Sequence, residues 1–358
     1  MKLRLVPFML CLLVIALFSC NSPEEKTATM QPLPAELPDI TIMTHDSFSI
    51  SKAVVEQFEK KVQAKLVIIK SGDAGEALNK AILSKNNPLA DIFYGVDSTF
   101  LSRALKADMF VSYLPQHLDT VDKSLQLDPE NRLVPVDFGD VCLNYDIGWF
   151  KEHNLQPPTL LEDLIKPEYM GLTVVQNPAT SSPGLAFLLA TISRFGEDGY
   201  LDYWQKLKAN QVEITSGWKD AYWGKFTAAS EGDRPVVVSY ASSPAAEVFY
   251  SETKLSAAPT AVVLENNSAF RQIEFAGILK GTDRLELARK AMDFILSAEF
   301  QEDIPLQMFV FPANKTVTLP VVFQEHARKA ERPALLDPQL IDAKREVWLR
   351  EWTERMLQ

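Results

Sequence analysis

Cysteine and histidine are scarce in this sequence. Of 358 residues only Cys11, Cys20 and Cys142 carry a thiol, and the four histidines, His45, His117, His153 and His326, lie far apart. Cys11 falls in an N-terminal apolar run and Cys20 at its end, so a folded body holds Cys142 alone and no internal disulfide. No C-x-x-C or H-E-x-x-H pattern occurs, which argues against a zinc site. No G-x-S-x-G elbow and no G-x-x-x-x-G-K-[ST] loop is present either. The longest leading apolar run covers residues 6–18, too short to span a bilayer as a mature helix. Positive charge is not in excess: the formal net charge is −11, which speaks against a nucleic-acid partner and mildly for a cationic ligand. There is no tandem repeat of fixed period.

What is present begins with the compartment. Met1-Lys2-Leu3-Arg4 is a basic lead before the apolar run, and the run closes on Leu17-Phe18-Ser19-Cys20, which resembles a bacterial lipobox. The expectation is a signal peptide over 1–19, cleavage before Cys20, and a lipid on that cysteine that anchors the protein to the membrane. Residues 20–38 are polar, contain four prolines and show no apolar alternation, so they read as a disordered tether.

Beyond the tether the pattern is α/β. A β-branched run at 39–44 precedes a helix with Ile50, Val54, Phe58 and Val62 at every fourth position. Strands at 65–69 and 91–94 alternate with helices at 75–84 and 100–107, the order of a mostly parallel sheet with helices on both faces. Ligands of such sheets bind beyond the carboxyl ends of the strands, which selects the loops Thr44 to Ser47, Ser71-Gly72-Asp73 and Gly95-Val96-Asp97. The extended stretch 134–145 has the length to run from one lobe into another. A second alternation follows: strands at 172–175, 212–215 and 236–240, helices at 183–195 and 219–229, then an extended run at 272–279 and helices at 285–296 and 338–356. A body of this size exceeds one compact core, so two lobes are expected.

Three segments invite chemistry. Ser181-Ser182-Pro183-Gly184 and Ser242-Ser243-Pro244-Ala245 each place a serine cap before a proline at the first helical position. Such helix starts offer free N–H groups to an anion, or simply begin a helix. The stretch 216–226, SGWKDAYWGKF, concentrates Trp218, Tyr222 and Trp223 behind Gly217. Tyr222 and Trp223 are expected in the helix packing.

Six segments in order resemble the thiamine-binding proteins of bacterial ABC importers: Thr44-His45-Asp46-Ser47-Phe48, Val136-Asp137-Phe138-Gly139, residues 176–185, Gly217-Trp218-Lys219-Asp220-Ala221-Tyr222, residues 238–245 and residues 311–320. The resemblance implies a two-lobed, hinged type II periplasmic-binding-protein fold, with lobe 1 from 39–135 and 272–312 and lobe 2 from 136–271 and 313–358. It implies no cofactor and no catalysis; the ligand is thiamine or a thiamine phosphate, and the partners are a permease and its ATPase, the binding protein itself being a monomer. Ligand contacts fall on Trp218, on Tyr240, Ala241, Ser242 and Ser243, on Ser181 and Ser182 as receivers of a phosphate or hydroxyl end, and around Ser71 and Gly72. His45 stands where the family often has tyrosine, and Ala246 where it often has an aromatic residue. Other ligands of the same class stay open: a polyamine held by Asp46, Asp73, Asp97 and Asp137, an aminoalkylphosphonate, or ferric ion, although no Tyr-Tyr pair occurs. A surface serine hydrolase built on Ser182 or Ser243, and a sensor subunit, are the readings outside transport.

Overall fold

The computed structural model describes residues 37–358 apart from Lys254 and Leu335. The expected signal peptide, Cys20 and nearly all of the tether lie outside the described residues. Among those described, no helix is long and apolar enough to cross a membrane.

The strands are β1 (Asp39–Thr44), β2 (Lys65–Lys70), β3 (Ile92–Asp97), β4 (Phe110–Val111), β5 (Val134–Asp146), β6 (Thr173–Gln176), β7 (Glu213–Thr215), β8 (Val236–Tyr240), β9 (Thr260–Val263), β10 (Phe270–Leu279) and β11 (Phe311–Pro312). They join in one sheet of order β2-β1-β3-β10-β5-β8-β6-β7, with β4 on β10 and with β9 and β11 on β5. At one end β2, β1 and β3 run parallel; at the other β8, β6 and β7 run parallel. Between them β10 is antiparallel to β3 and β5, and β5 is antiparallel to β8.

Two hydrophobic cores follow from this arrangement. The first gathers Ile40, Ile42, Phe58, Phe93 and Phe110 with Phe275, Ile278 and Phe294. The second gathers Val141, Leu143, Val175, Phe187, Trp204, Val238, Trp348 and Trp352. Strand β5 belongs to both: residues 134–141 pair with β10, residues 141–145 with β8, and Val141 is the changeover. Strand β10 also crosses, since Phe270 packs in the second core and Ile273 onward in the first. The segment 313–358 is divided rather than given to the second lobe alone: Phe323 and Ala327 pack in the first core, Ile341 onward in the second.

Local chemistry explains the elements. Ser51 caps the helix Lys52–Val62 by accepting from the Val54 N–H, and Val54, Phe58 and Val62 form its buried stripe. The helix Ser182–Phe195 is buried along most of its length, and Gly184 allows this: a Cβ there would lie 2.7 Å from the Gln176 carbonyl oxygen. Several expectations shift. Gly95, Val96 and Asp97 are not a loop but the end of β3, because β10 pairs with Val96 and Asp97 across a register shift at Gly95. The helix expected over 219–229 is Trp218–Gly224, ending where Phe226 bridges to Arg234. The helix Tyr200–Ala209 was not foreseen from the sequence, although Tyr200, Tyr203, Trp204 and Leu207 give it a buried face.

Candidate functional site

A cavity of about 300 Å³ opens where the two cores meet. Its wall comes from the loop after β1 (His45, Asp46, Ser47), the helix start after β2 (Asp73, Ala74), the helix start after β6 (Ser182, Pro183), the turn after β7 (Gly217, Trp218, Lys219) and Tyr240 at the end of β8. Strand β10 adds Gln272 and Glu274, and the segment before β11 adds Met308 and Val310. Both parallel ends of the sheet therefore aim their carboxyl ends at one place, the position where open α/β sheets bind ligands.

One wall is acidic. His45 Nε2 lies 3.2 Å from Glu274 Oε2, and both side chains are mostly buried. Burial disfavours the imidazolium, but the Glu274 carboxylate, with Asp137 and Asp73 behind it, outweighs this and raises the His45 pKa to about 9. Asp137 is fully buried directly across from Glu274 in the strand register. The Tyr94 hydroxyl donates to its Oδ2 at 2.6 Å, while Oδ1 has no partner within the protein. Burial and then the Glu274 charge push the Asp137 pKa well above the ordinary carboxylate range. Gly95 makes room for this arrangement: its φ is +99°, and a Cβ would stand 2.3 Å from His45 Cδ2.

The same cavity has an aromatic part. Trp218 is half-buried, its ring stacked on Tyr222 with centroids 4.9 Å apart, and its Nε1–H donates to Ser239 Oγ at 2.9 Å. Trp218 and Tyr240 also border a second cavity of about 390 Å³, which holds Tyr222, Trp223, Ser242, Ser243, Ala246, Glu247, Tyr250 and Phe309. Tyr240 reaches its position because position 139 is glycine, where a Cβ would lie 2.9 Å from the Tyr240 ring. Gly217 has no such role: its φ is −157°, ordinary extended backbone, and a Cβ there would meet nothing. Tyr222 is buried as expected, whereas Trp223 is 54% exposed and does not belong to the packing.

The remaining sequence-selected residues separate. Ser243 Oγ meets Ser239 Oγ at 2.8 Å and accepts from the Tyr240 N–H, and the Ser242 hydroxyl donates to the Phe309 carbonyl. Ala241 is fully buried beside Cys142, away from both cavities. Ser71 is buried, with its N–H on the Thr44 carbonyl. Gly72 supports the site at one remove, since its N–H donates to Asp46 Oδ1 at 2.9 Å. Ser181 lines a third cavity, of about 700 Å³, together with Arg103, Arg345 and Arg350. Ser182, like Asp73, touches both the first and the third, and its hydroxyl donates to Asp97 Oδ2 at 2.7 Å.

Glu274, Gln272, Glu247 and Met308 to Val310 were missed by sequence reasoning. A signal existed for the first two: in an extended run with Ile273 and Phe275 facing the core, Gln272 and Glu274 must face the other way. Glu247 gave none, being one acid on a short helix; burial raises its pKa to about 7, against hydrogen bonds from Thr260 and Tyr222.

Residues 87–336 match the family of bacterial extracellular solute-binding proteins. The chain is 32% identical over 327 residues to the thiamine-binding periplasmic protein of Brucella suis biovar 1 (strain 1330), covering 87% of this chain and 90% of that one. It is 30% identical over 323 residues to the thiamine-binding periplasmic protein of Escherichia coli (strain K12), covering 88% and 92%. Among solved structures, a periplasmic thiamin binding protein superposes with a TM-score of 0.78 at 28% identity, over 89% of this chain and 96% of that one. The ferric binding protein from Campylobacter jejuni superposes at 0.72 and 17% identity over 88% and 99%, a likeness of fold alone. These relatives are solute-binding proteins, and the chain belongs with them: it is a member of the bacterial extracellular solute-binding proteins with the two-lobed type II fold, in the group of the thiamine-binding periplasmic proteins.

Proposed function

We propose that the protein is an extracytoplasmic lipoprotein, tethered through Cys20, that binds thiamine or a thiamine phosphate between its lobes and delivers it to the permease and ATPase of an ABC importer. It acts as a monomer and makes or breaks no covalent bond. The observation that carries this reading is that one cavity is lined both by the aromatic rings of Trp218 and Tyr240 and by the carboxylates of Asp46, Asp73 and Glu274. Thiamine joins a permanently charged thiazolium to a flat aminopyrimidine. A desolvated indole face is worth about 2 kcal/mol to such a cation, and the carboxylates lining the cavity supply the countercharge. Strands β5 and β10, shared by the two cores, are the natural hinge for closing the lobes on the ligand.

The hydrolase reading has no support from these contacts, since the Ser182 hydroxyl is bonded to Asp97 and Ser243 to Ser239, neither of them to a histidine. A polyamine keeps one argument in its favour, the acidic wall. Calorimetric titration of the protein with thiamine, its phosphates and spermidine separates the two: micromolar or tighter binding of a thiamine form with weak spermidine binding is expected, and the reverse order would replace thiamine by a polyamine.

A further inference from the structure

The indole of Trp218 is held from two directions, and both holds end on one short helix, Ser243–Tyr250. At the ring edge, its Nε1–H donates to Ser239 Oγ at 2.9 Å, and that hydroxyl lies 2.8 Å from Ser243 Oγ. Against the ring face, Tyr222 stacks with centroids 4.9 Å apart, and the Tyr222 hydroxyl donates to Glu247 Oε1. Ser243 and Glu247 stand four residues apart, so they share one face of the helix. Tyr222 is buried and its O–H requires an acceptor, which Glu247 supplies. The other carboxylate oxygen, Oε2, accepts from the Thr260 hydroxyl, which ties the helix to β9. Trp218, Tyr222 and Glu247 all line the second cavity, which shares Trp218 and Tyr240 with the first.

We propose that Glu247 is a positioning residue for ligand binding: in its ionised form it fixes Tyr222, and through Tyr222 the plane that Trp218 offers to a cation. An ionised carboxylate accepts from both hydroxyls at once, whereas protonation turns one of its oxygens into a donor. Cation–π attraction requires the charge over the ring face, so a tilted plane forfeits part of it. Holding the plane before the ligand arrives lowers the cost of ordering it on binding. Glu247 is the only charged residue of its helix. Of the elements around it, the helix Trp218–Gly224 presents Tyr222 and leaves Lys219 and Asp220 exposed, and β9 presents Thr260 and no charge. Asp146, at the end of β5, repels it. The helix Val321–His326, packed on the same helix, carries Glu325 and His326, whose charged atoms lie 3.7 Å apart. Burial raises the Glu247 pKa to about 7 against the hydrogen bonds from Thr260 and Tyr222, with Asp146 adding to the rise. The change between its two forms therefore falls near neutrality, apart from that of His45 near pH 9. The binding part of the proposal rests on the thiamine reading.

Two measurements on the full chain in detergent test it. Near-ultraviolet circular dichroism of the unliganded protein reports fixed aromatic packing. Its spectrum is expected to change between pH 6 and pH 8, and that of Glu247→Gln, which keeps the shape and one acceptor oxygen but cannot titrate, is expected to stay constant. Calorimetric titration with thiamine is expected to show severalfold tighter binding at pH 8 than at pH 6, a step that Glu247→Gln lacks. Glu247→Ala and Tyr222→Phe should each weaken thiamine about fivefold at pH 8, and the double variant no more than either alone, because the two side chains act along one path. The same pH step in Glu247→Gln, or losses that add in the double variant, would overturn the proposal. A protein without affinity for thiamine would end the thiamine reading, and the spectra would then decide the positioning role. Spectra of the unaltered protein and of Glu247→Gln that respond alike to pH would overturn it.

Discussion

The indole of Trp218 lies nearly parallel to the ring of Tyr222, with centroids 4.9 Å apart and planes 21° apart. Tyr222 is buried and its hydroxyl donates to Glu247, so the stack fixes the Trp218 plane from beneath while Trp218 itself borders two cavities. The concentration of aromatic residues in 216–226 thus divides into a cavity-side ring, a buried support, and the exposed Trp223.

Trp218→Ala is expected to weaken thiamine binding at least tenfold. Because the ring also packs on Tyr222 and bonds Ser239, the variant loses about 1–3 kcal/mol of stability as well. Trp218→Phe keeps the packing and an aromatic face, so it should recover most of the stability and part of the affinity. Calorimetry and denaturant melts read the two effects separately; unchanged affinity in the alanine variant would remove Trp218 from the site.

Two glycines make a contrasting pair. Gly139→Ala places a Cβ 2.9 Å from the Tyr240 ring and should displace it, costing affinity severalfold or more. Gly217→Ala adds a methyl group to open space on extended backbone, so affinity should stay within about twofold and stability should not fall; restricting the unfolded chain contributes roughly 0.4–1 kcal/mol in its favour. A strong loss of binding in Gly217→Ala would mean that the turn before Trp218 must flex on ligand binding.

His45 carries a pH signature. Its pKa is raised from 6.5 to about 9 in the folded protein, so the His45–Glu274 pair contributes stability that is fully present below about pH 6.5 and is lost as pH rises through about 9. The stability difference between the unaltered protein and His45→Gln should therefore shrink by an amount on the order of 3 kcal/mol between those limits. Urea melts at pH 6, 7.5 and 9.5 measure it. Parallel curves for the two proteins would show that the pair does not hold the proton.

Cys20→Ala should move the protein from the membrane fraction to the soluble fraction, because a lipid attached at that thiol is the proposed anchor. Fractionation followed by detection of the protein is sufficient. An unaltered membrane fraction would exclude lipidation at this residue.

The sequence by itself determined the alternation of elements. Fourfold spacing in Val54, Phe58 and Val62, β-branched runs and serine-proline caps are local signals, and β1, β2, β5 and β8 and the helix after Ser181 form where those signals stand. The same locality placed Trp218, Tyr240, Ser182 and His45 at strand ends, hence in one cavity. Tertiary structure alone decided which charges meet. Glu274 lies 229 residues from His45, and it opposes Asp137 only because β10 and β5 pair antiparallel in that register. Likewise Ser182 meets Asp97 across 85 residues, joining a helix of the second core to a strand of the first. Backbone propensity acts over a few residues, whereas charge compensation depends on packing across the whole chain, so the electrostatics of the cavity appear only once the sheet is assembled.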